Sequence, residues 1–465
     1  MGSLKLVLNR MIEPKKGIEE SKKKFSNKAL IALIIPIIVE QFLALLVGIA
    51  DTLMISYAGE AAVSGVSLVN QLNNIFIMIF TALATGGAII ASQYIGSKDQ
   101  KKGNLAASQL VMLTTLISIV VTVLLMLFGK NVFTLVFGRV EKDVFGTGMT
   151  YLYLSAISFP FLAVYNGCAG LYRSMGKTKT LMNISIVTNV INVVGNYIGV
   201  FILHAGVAGV AIPSLISRIY AAVVMYILSS NQNNTIFIQL KQVLSFHKEM
   251  IIRIFKIAIP NSIENGLFQI SKVALSSIVA LFGTVQIAAN GIAQSFWSMS
   301  ALFVIAMGPA FMTVIGQYMG AGDPEGADYY MKKLLRMTYI GSFVWNTFFF
   351  IITPLLLQLY SLSSEGKQLV IILVFIHNAF NIITCPYSFS LSNGLRAAGD
   401  IKFTMYSSIF STVICRVIFS VILGLWLNMG VIGIALAMGI DWTIKAALII
   451  VRYRSGKWKH FKVID

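Results

Sequence analysis

Cysteine is scarce: Cys168, Cys385 and Cys415 are the only three in 465 residues. An odd number without paired spacing excludes a disulfide framework and a structural zinc site, and leaves three buried thiols. Charge is scarce too. Only 12% of residues are charged, and the 18 acids are half as many as the 36 bases. The chain has no Walker phosphate loop, no HExxH pair and no GxSxG elbow, so ATP hydrolysis, zinc proteolysis and serine hydrolysis lack their machinery. The few acids inside apolar stretches (Glu40, Asp51, Glu264, Asp441) are spread along the sequence. A membrane-embedded enzyme would need them clustered, so no enzyme activity and no cofactor are expected.

What is abundant is apolar length. Hydrophobic residues make up 57% of the chain, with a mean hydropathy of +0.81. The runs approach or exceed the ~20 residues a helix needs to cross hydrocarbon. They predict spans at about 29–57, 67–95, 105–128, 147–172, 181–203, 206–228, 255–282, 285–318, 333–357, 367–392, 402–426 and 430–451. The expected fold class is an all-α membrane protein of twelve transmembrane helices. The first 28 residues are too polar and basic for a cleavable signal peptide. A net charge of +18 would suit nucleic acid, but its distribution argues for a lipid bilayer instead. With the N-terminus placed in the cytoplasm, 28 Lys and Arg fall in inward segments and 4 in outward loops. That bias predicts a multi-pass cell-membrane protein with both termini cytoplasmic, and no nucleic-acid partner.

The chain also repeats itself. Pro36 and Glu40 reappear as Pro260 and Glu264, an offset of 224 (260 − 36). At the same offset Gly59 matches Gly283, Gln93-Tyr94-Ile95-Gly96 matches Gln317-Tyr318-Met319-Gly320, Asp99 matches Asp323, and Gly206-Val207-Ala208-Gly209 matches Gly430-Val431-Ile432-Gly433. Each copy holds six spans, an even number, so both enter from one side as parallel repeats about an axis along the membrane normal. The predicted organisation is a basic tail (1–28), a six-helix bundle (29–228), a cytoplasmic linker (229–254), a second six-helix bundle (255–452) and a basic tail (453–465). A substrate path is expected at the bundle interface. Asp51 has no twin, because the equivalent position is Leu275.

The two-times-six layout, the IADT tetrad at Ile49–Thr52, the QYIG/QYMG pair, the Gly-Leu-Arg-Ala-Ala-Gly-Asp run at 394–400 and Asp441-Trp442 ahead of Gly456-Lys457-Trp458 resemble the multidrug and toxic compound extrusion (MATE) family. The resemblance covers about residues 29–460. It implies a monomeric secondary antiporter that exports lipophilic, often cationic compounds by alternating access, in exchange for H⁺ or Na⁺. It also implies that Asp51 is the coupling-ion residue. A carboxylate at membrane depth costs about 2.5–3.5 kcal/mol on insertion scales, so it is usually kept for function.

Asn192 and Asn196, one helical turn apart, and Ser214 on the next helix offer oxygen ligands beside Asp51; with Asp51, the two asparagines make a possible Na⁺ site. Many relatives have Asp where this chain has Asn196, which leaves the choice of ion open. Cavity candidates are Glu40, Glu264, Gln269, Lys272, His377 and Asn378. Glu40 and Glu264 also read as repeat-related packing carboxylates. Relatives with a second ion site place an acid near Cys385, and His377 is a candidate substitute. Asp441 and Lys445, four apart on one helix, are expected to form a structural charge pair. Pro160 and Pro386 predict kinks. The bases Arg218, Lys272 and Arg416 keep an alternative open: a flippase for lipid-linked precursors.

Overall fold

A computed structural model describes residues 11–15, 17–138, 140–360 and 362–464. Among them, twelve helical segments are long and apolar enough to cross a membrane. In the first half they are α1 (Asn27–Ser56), then α2 (Glu60–Ser97), α3 (Gln100–Phe137), α4 (Lys142–Ser174), α5 (Thr178–Ile202) and α6 (Ala208–Ser229). The second half holds α7 (Lys248–Phe282), α8 (Thr284–Gly320), α9 (Pro324–Leu359), α10 (Ser364–Ile383), α11 (Ile401–Trp426) and α12 (Gly430–Arg454). Helices suit this solvent because they satisfy every backbone N–H and C=O internally.

The repeat landmarks are where the backbone turns. Gly59 and Gly283, and Gly206 and Gly430, all take positive φ, a conformation that glycine reaches without a Cβ clash. Asp99 accepts a hydrogen bond from the Lys102 N–H (3.0 Å) and Asp323 from the Gly326 N–H (2.9 Å), each capping the helix that follows. The offset of 224 is therefore a register of turns and caps as much as of spans. Pro160 lies inside an uninterrupted helix. By contrast, the α-helical course of α10 ends at Ile383, and the chain passes through a wider π-type turn over Pro386–Leu391 before resuming at Ser392–Ala397.

The chain divides into two compact units, Ile35–Ser262 and a second comprising Ile263–Asp465 with the N-terminal stretch up to Ile34. The breaks fall inside α1 and α7, close to Pro36 and Pro260, where a ring in place of an N–H removes a helix hydrogen bond. In the first unit Phe80, Phe133, Leu152 and Phe159 form an apolar core between α2, α3 and α4. The segment after α6 is strapped to α3 along its length. Asn104 Oδ1 accepts from the Phe237 N–H (2.8 Å), Ser108 Oγ from the Gln239 N–H (3.0 Å), and Gln109 Nε2 donates to the carbonyls of Gln242 (2.6 Å) and Ser245 (2.7 Å). α7 then begins at Lys248, earlier than hydropathy alone suggests, because its first turns are polar.

In the second unit the described part of the N-terminal tail packs on protein. The Tyr318 hydroxyl accepts from the Lys24 N–H (2.7 Å) and donates to the Lys22 carbonyl (2.8 Å), while the Tyr330 hydroxyl donates to the Phe25 carbonyl (2.6 Å). Glu13 pairs with buried Lys333 at 2.6 Å and accepts from the Tyr329 hydroxyl. Burial acts to raise the Glu13 pKa, but Lys333 and Tyr329 outweigh it and hold the carboxyl below its usual range. The latch is thus at full strength above the ordinary carboxylate pKa and weakens as pH falls through the depressed value. Glu13→Gln, which leaves Lys333 buried without its counter-charge, should release the tail. Trypsin cleavage at Lys22–Lys24 should then accelerate several-fold at neutral pH, and an unchanged digestion rate would show that the latch contributes nothing.

Candidate functional site

The first unit holds a cavity of about 310 Å³ walled by α1, α4, α5 and α6, with Glu40, Asp51, Tyr165, Asn189, Asn192, Ser214 and Arg218 on its lining. Close backbone approach sets this wall. A Cβ on Gly195 would lie 2.6 Å from Pro213, and one on Gly209 would lie 2.6 Å from the Gly199 backbone, so α5 and α6 meet face to face. That contact brings Asn192 Nδ2 to Ser214 Oγ at 2.9 Å. One turn further along, Asn196 Nδ2 donates to Asp51 Oδ1 (2.5 Å) and to Asn192 Oδ1 (3.3 Å).

Asp51, Asn192, Asn196 and Ser214 therefore form one hydrogen-bonded chain across three helices. The partner of Asp51 is an amide, and among the described residues no base forms an ion pair with it. Arg218 lines the same cavity but donates to Ser158 Oγ at 2.5 Å. Asn196 Oδ1 is buried and, among the described residues, has no hydrogen-bond partner. Together with the Asp51 carboxylate and Asn192 Oδ1, it offers hard oxygen donors of the kind Na⁺ takes. A proton needs only the carboxylate. Among the described residues, no three or more His, Cys, Asp or Glu gather as a metal cluster.

Glu40 is buried on the same wall and held by Arg173 Nη2 at 2.5 Å. Its repeat mate Glu264 is held by Arg396 in the second unit. Both arginines close the last turns of repeat-related segments, one position out of strict register (396 − 173 = 223). The clamp is thus part of the repeat, and nothing in the sequence marks its bases, Arg173 and the Arg396 of the 394–400 run, as partners of the two glutamates.

The second unit has a cavity of about 170 Å³ lined by Glu264, Phe268, Ser392, Arg396, Arg416 and Lys445. A neighbouring one of about 200 Å³ shares Phe268 and Arg416 and adds Lys272 and Trp297. The expected Asp441–Lys445 pair is corrected here. Asp441 is bound by Arg416 through Nε (2.9 Å) and Nη2 (2.5 Å), and Lys445 instead lies 3.5 Å from Glu264. Helical spacing made the local pair possible, but a guanidinium from α11 offers two donors to a fully buried carboxylate and prevails.

Three further cavity candidates line neither space. Gln269 sits on α7 beside Phe268. His377 and Asn378 are buried on the inward face of α10, where Asn378 Nδ2 donates to the Asn346 carbonyl (3.4 Å) and the His377 ring lies 6.1 Å from Trp442. His377 and Asn378 are corrected from cavity to core, because the face carrying Val374, His377, Asn378 and Asn381 turns toward α9 and α12.

A family model described as MatE matches residues 36–198 and 260–422, two stretches separated by the same 224 positions. Among curated proteins, the chain is similar to "Uncharacterized transporter YisQ" of Bacillus subtilis (strain 168), 27% identical over 456 residues, 94% of this chain and 96% of that protein. It is also similar to "Probable multidrug resistance protein NorM" of Thermotoga maritima, 23% identical over 468 residues, covering 97% and 96%. Among solved structures, an outward-facing multidrug resistance MATE family transporter of the MOP superfamily superposes with a TM-score of 0.87 at 19% identity, over 97% of this chain and 98% of that one.

Proposed function

The chain belongs to the MatE family of membrane transporters, and from that membership we propose that it is a secondary active exporter of amphipathic organic compounds, driven by inward flow of H⁺ or Na⁺. One observation carries the reading: Asp51 lines a cavity in the first unit with an amide, and not a base, as its partner. A carboxylate without a fixed counter-charge at membrane depth wants a mobile one. Binding an ion there neutralises the group and changes the bonding of Asn196 and Asn192. Such a site drives transport if the ion's affinity differs between two states of the protein. Positive-inside charge supports a cell-membrane location with both termini cytoplasmic.

The often cationic cargo that the family resemblance implies finds little at Glu264, since Arg396 and Lys445 already serve that carboxylate. Of the cavity-lining acids Glu40, Asp51 and Glu264, Asp51 of the first unit is the one that forms no ion pair among the described residues. The lipid-linked precursor flippase stays as a second reading on one observation, the surplus of bases in the second unit's cavities.

The test is efflux of an amphipathic dye from proteoliposomes with pH and sodium gradients imposed separately. One gradient should drive efflux many-fold above the rate without a gradient. Equal rates under all three conditions, with flipping of a lipid-linked diphosphate in the same vesicles, would overturn exporter in favour of flippase.

A further inference from the structure

The second unit's cavities hold more positive charge than their acids can balance. Asp441 is fully buried and taken up by Arg416 Nε and Nη2, with Thr412 Oγ1 3.3 Å away. Glu264 is gripped by Arg396, which also donates to Thr404 and Asn393. Lys445, only 5% exposed, has among the described residues one long ion pair of 3.5 Å, to that already paired carboxylate, and the face of Phe389 at 5.1 Å. Lys272 has the face of Phe268 at 5.2 Å, and among the described residues no carboxylate forms an ion pair with it. Four bases thus face two acids, and the two least satisfied are both lysines.

The repeat supplies the reference for this surplus. At an offset of 224, Arg416, Lys445 and Lys272 correspond to Asn192, Ala221 and Gly48. The bases are a property of this half alone, not of the scaffold that both halves share. An uncompensated cation at membrane depth is costly and persists where it meets a partner. The surroundings also suit a ligand with two characters. Ser392, buried and with a hydroxyl that has no partner among the described residues, lines the cationic cavity. The adjoining space is lined by Leu275, Trp297, Ile434 and Met438.

We propose that this pair of cavities binds an anionic amphiphile, its carboxylate or phosphate received by Lys445, Lys272 and Arg416 and its apolar body placed against Phe268 and Trp297. This rests on the exporter reading and specifies its cargo. The shared chemistry, one anionic head on an apolar chain, has two sources: a free amphiphile or an anionic membrane lipid.

The experiment is equilibrium binding to the full chain in nanodiscs of zwitterionic lipid, with no ion gradient. Laurate and dodecyl phosphate are compared with dodecyltrimethylammonium. The anions should bind at least tenfold more tightly than the cation, and Lys445→Met or Lys272→Met should each cut anion affinity several-fold. Lys272→Met keeps the test alive should Lys445→Met fold poorly, because among the described residues Lys272 has no ion pair to lose. Repeating the titration with phosphatidylglycerol in the disc separates the sources: competition identifies the lipid head group as occupant, and its absence identifies the free amphiphile. Equal or tighter binding of the cation, or anion affinity unchanged in both lysine variants, would overturn the proposal. Either result leaves gradient-driven dye efflux untouched, so the two readings fail separately.

Discussion

Asp51→Asn should reduce ion-driven efflux at least tenfold while the protein still inserts and folds. The substitution keeps a carbonyl oxygen where Asp51 Oδ1 accepts from Asn196 Nδ2 at 2.5 Å, so the hydrogen-bonded chain through Asn192 to Ser214 survives. What disappears is the charge. Since among the described residues no base is ion-paired to Asp51, its loss breaks no ion pair. Glu40→Gln is the contrasting case, because it removes the counter-charge that faces Arg173 at 2.5 Å and should act through folding rather than coupling. Removing one partner of a buried pair costs about 3–5 kcal/mol, whereas Asp51→Asn should shift stability by roughly 1–2 kcal/mol, the difference between a charge-assisted and a neutral hydrogen bond. Proteoliposome efflux measured beside thermal unfolding separates the two. Should Asp51→Asn retain more than half of wild-type gradient-driven efflux, the coupling site lies elsewhere.

Much of this architecture was legible because the membrane makes it so. Apolar length and positive-inside charge are written residue by residue, and the 224-residue register is fixed by glycines and aspartates whose backbone roles at Gly59, Asp99 and Gly206 tolerate few replacements. The neighbourhood of Asp51 was legible for a related reason: Asn192 and Asn196 are one turn apart, and Ser214 follows on the next helix across a tight glycine contact. Long-range pairing was not legible. Nothing in helical spacing says that Arg173 and Arg396, which sit among topology charges, close back on glutamates more than 130 positions away. Nor does it say that Asp441 will choose Arg416 over Lys445. Periodicity names the face a residue lies on, and the partner is settled by which helix that face meets. His377 illustrates the same limit, since its helix turns that face into the core.

Arg416→Met should be among the most destabilising single changes in the second unit. Arg416 is 2% exposed and Asp441 fully buried, and the arginine supplies two of the carboxylate's hydrogen bonds. Loss of the guanidinium leaves a buried carboxylate without its ion-pair partner, at a cost of about 3–5 kcal/mol. The same reasoning predicts rescue. Replacing the pair together, Arg416→Met with Asp441→Leu, removes both the attraction and the two desolvation costs, and such exchanges are often neutral or stabilising. The double variant should therefore unfold close to wild type, while the single variant unfolds far earlier or fails to accumulate. Thermal unfolding of the three proteins in one detergent decides the matter. Absence of rescue, with the double variant as unstable as the single, would mean that Arg416 supports the fold through contacts other than Asp441, such as the ring of Phe268 at 5.3 Å.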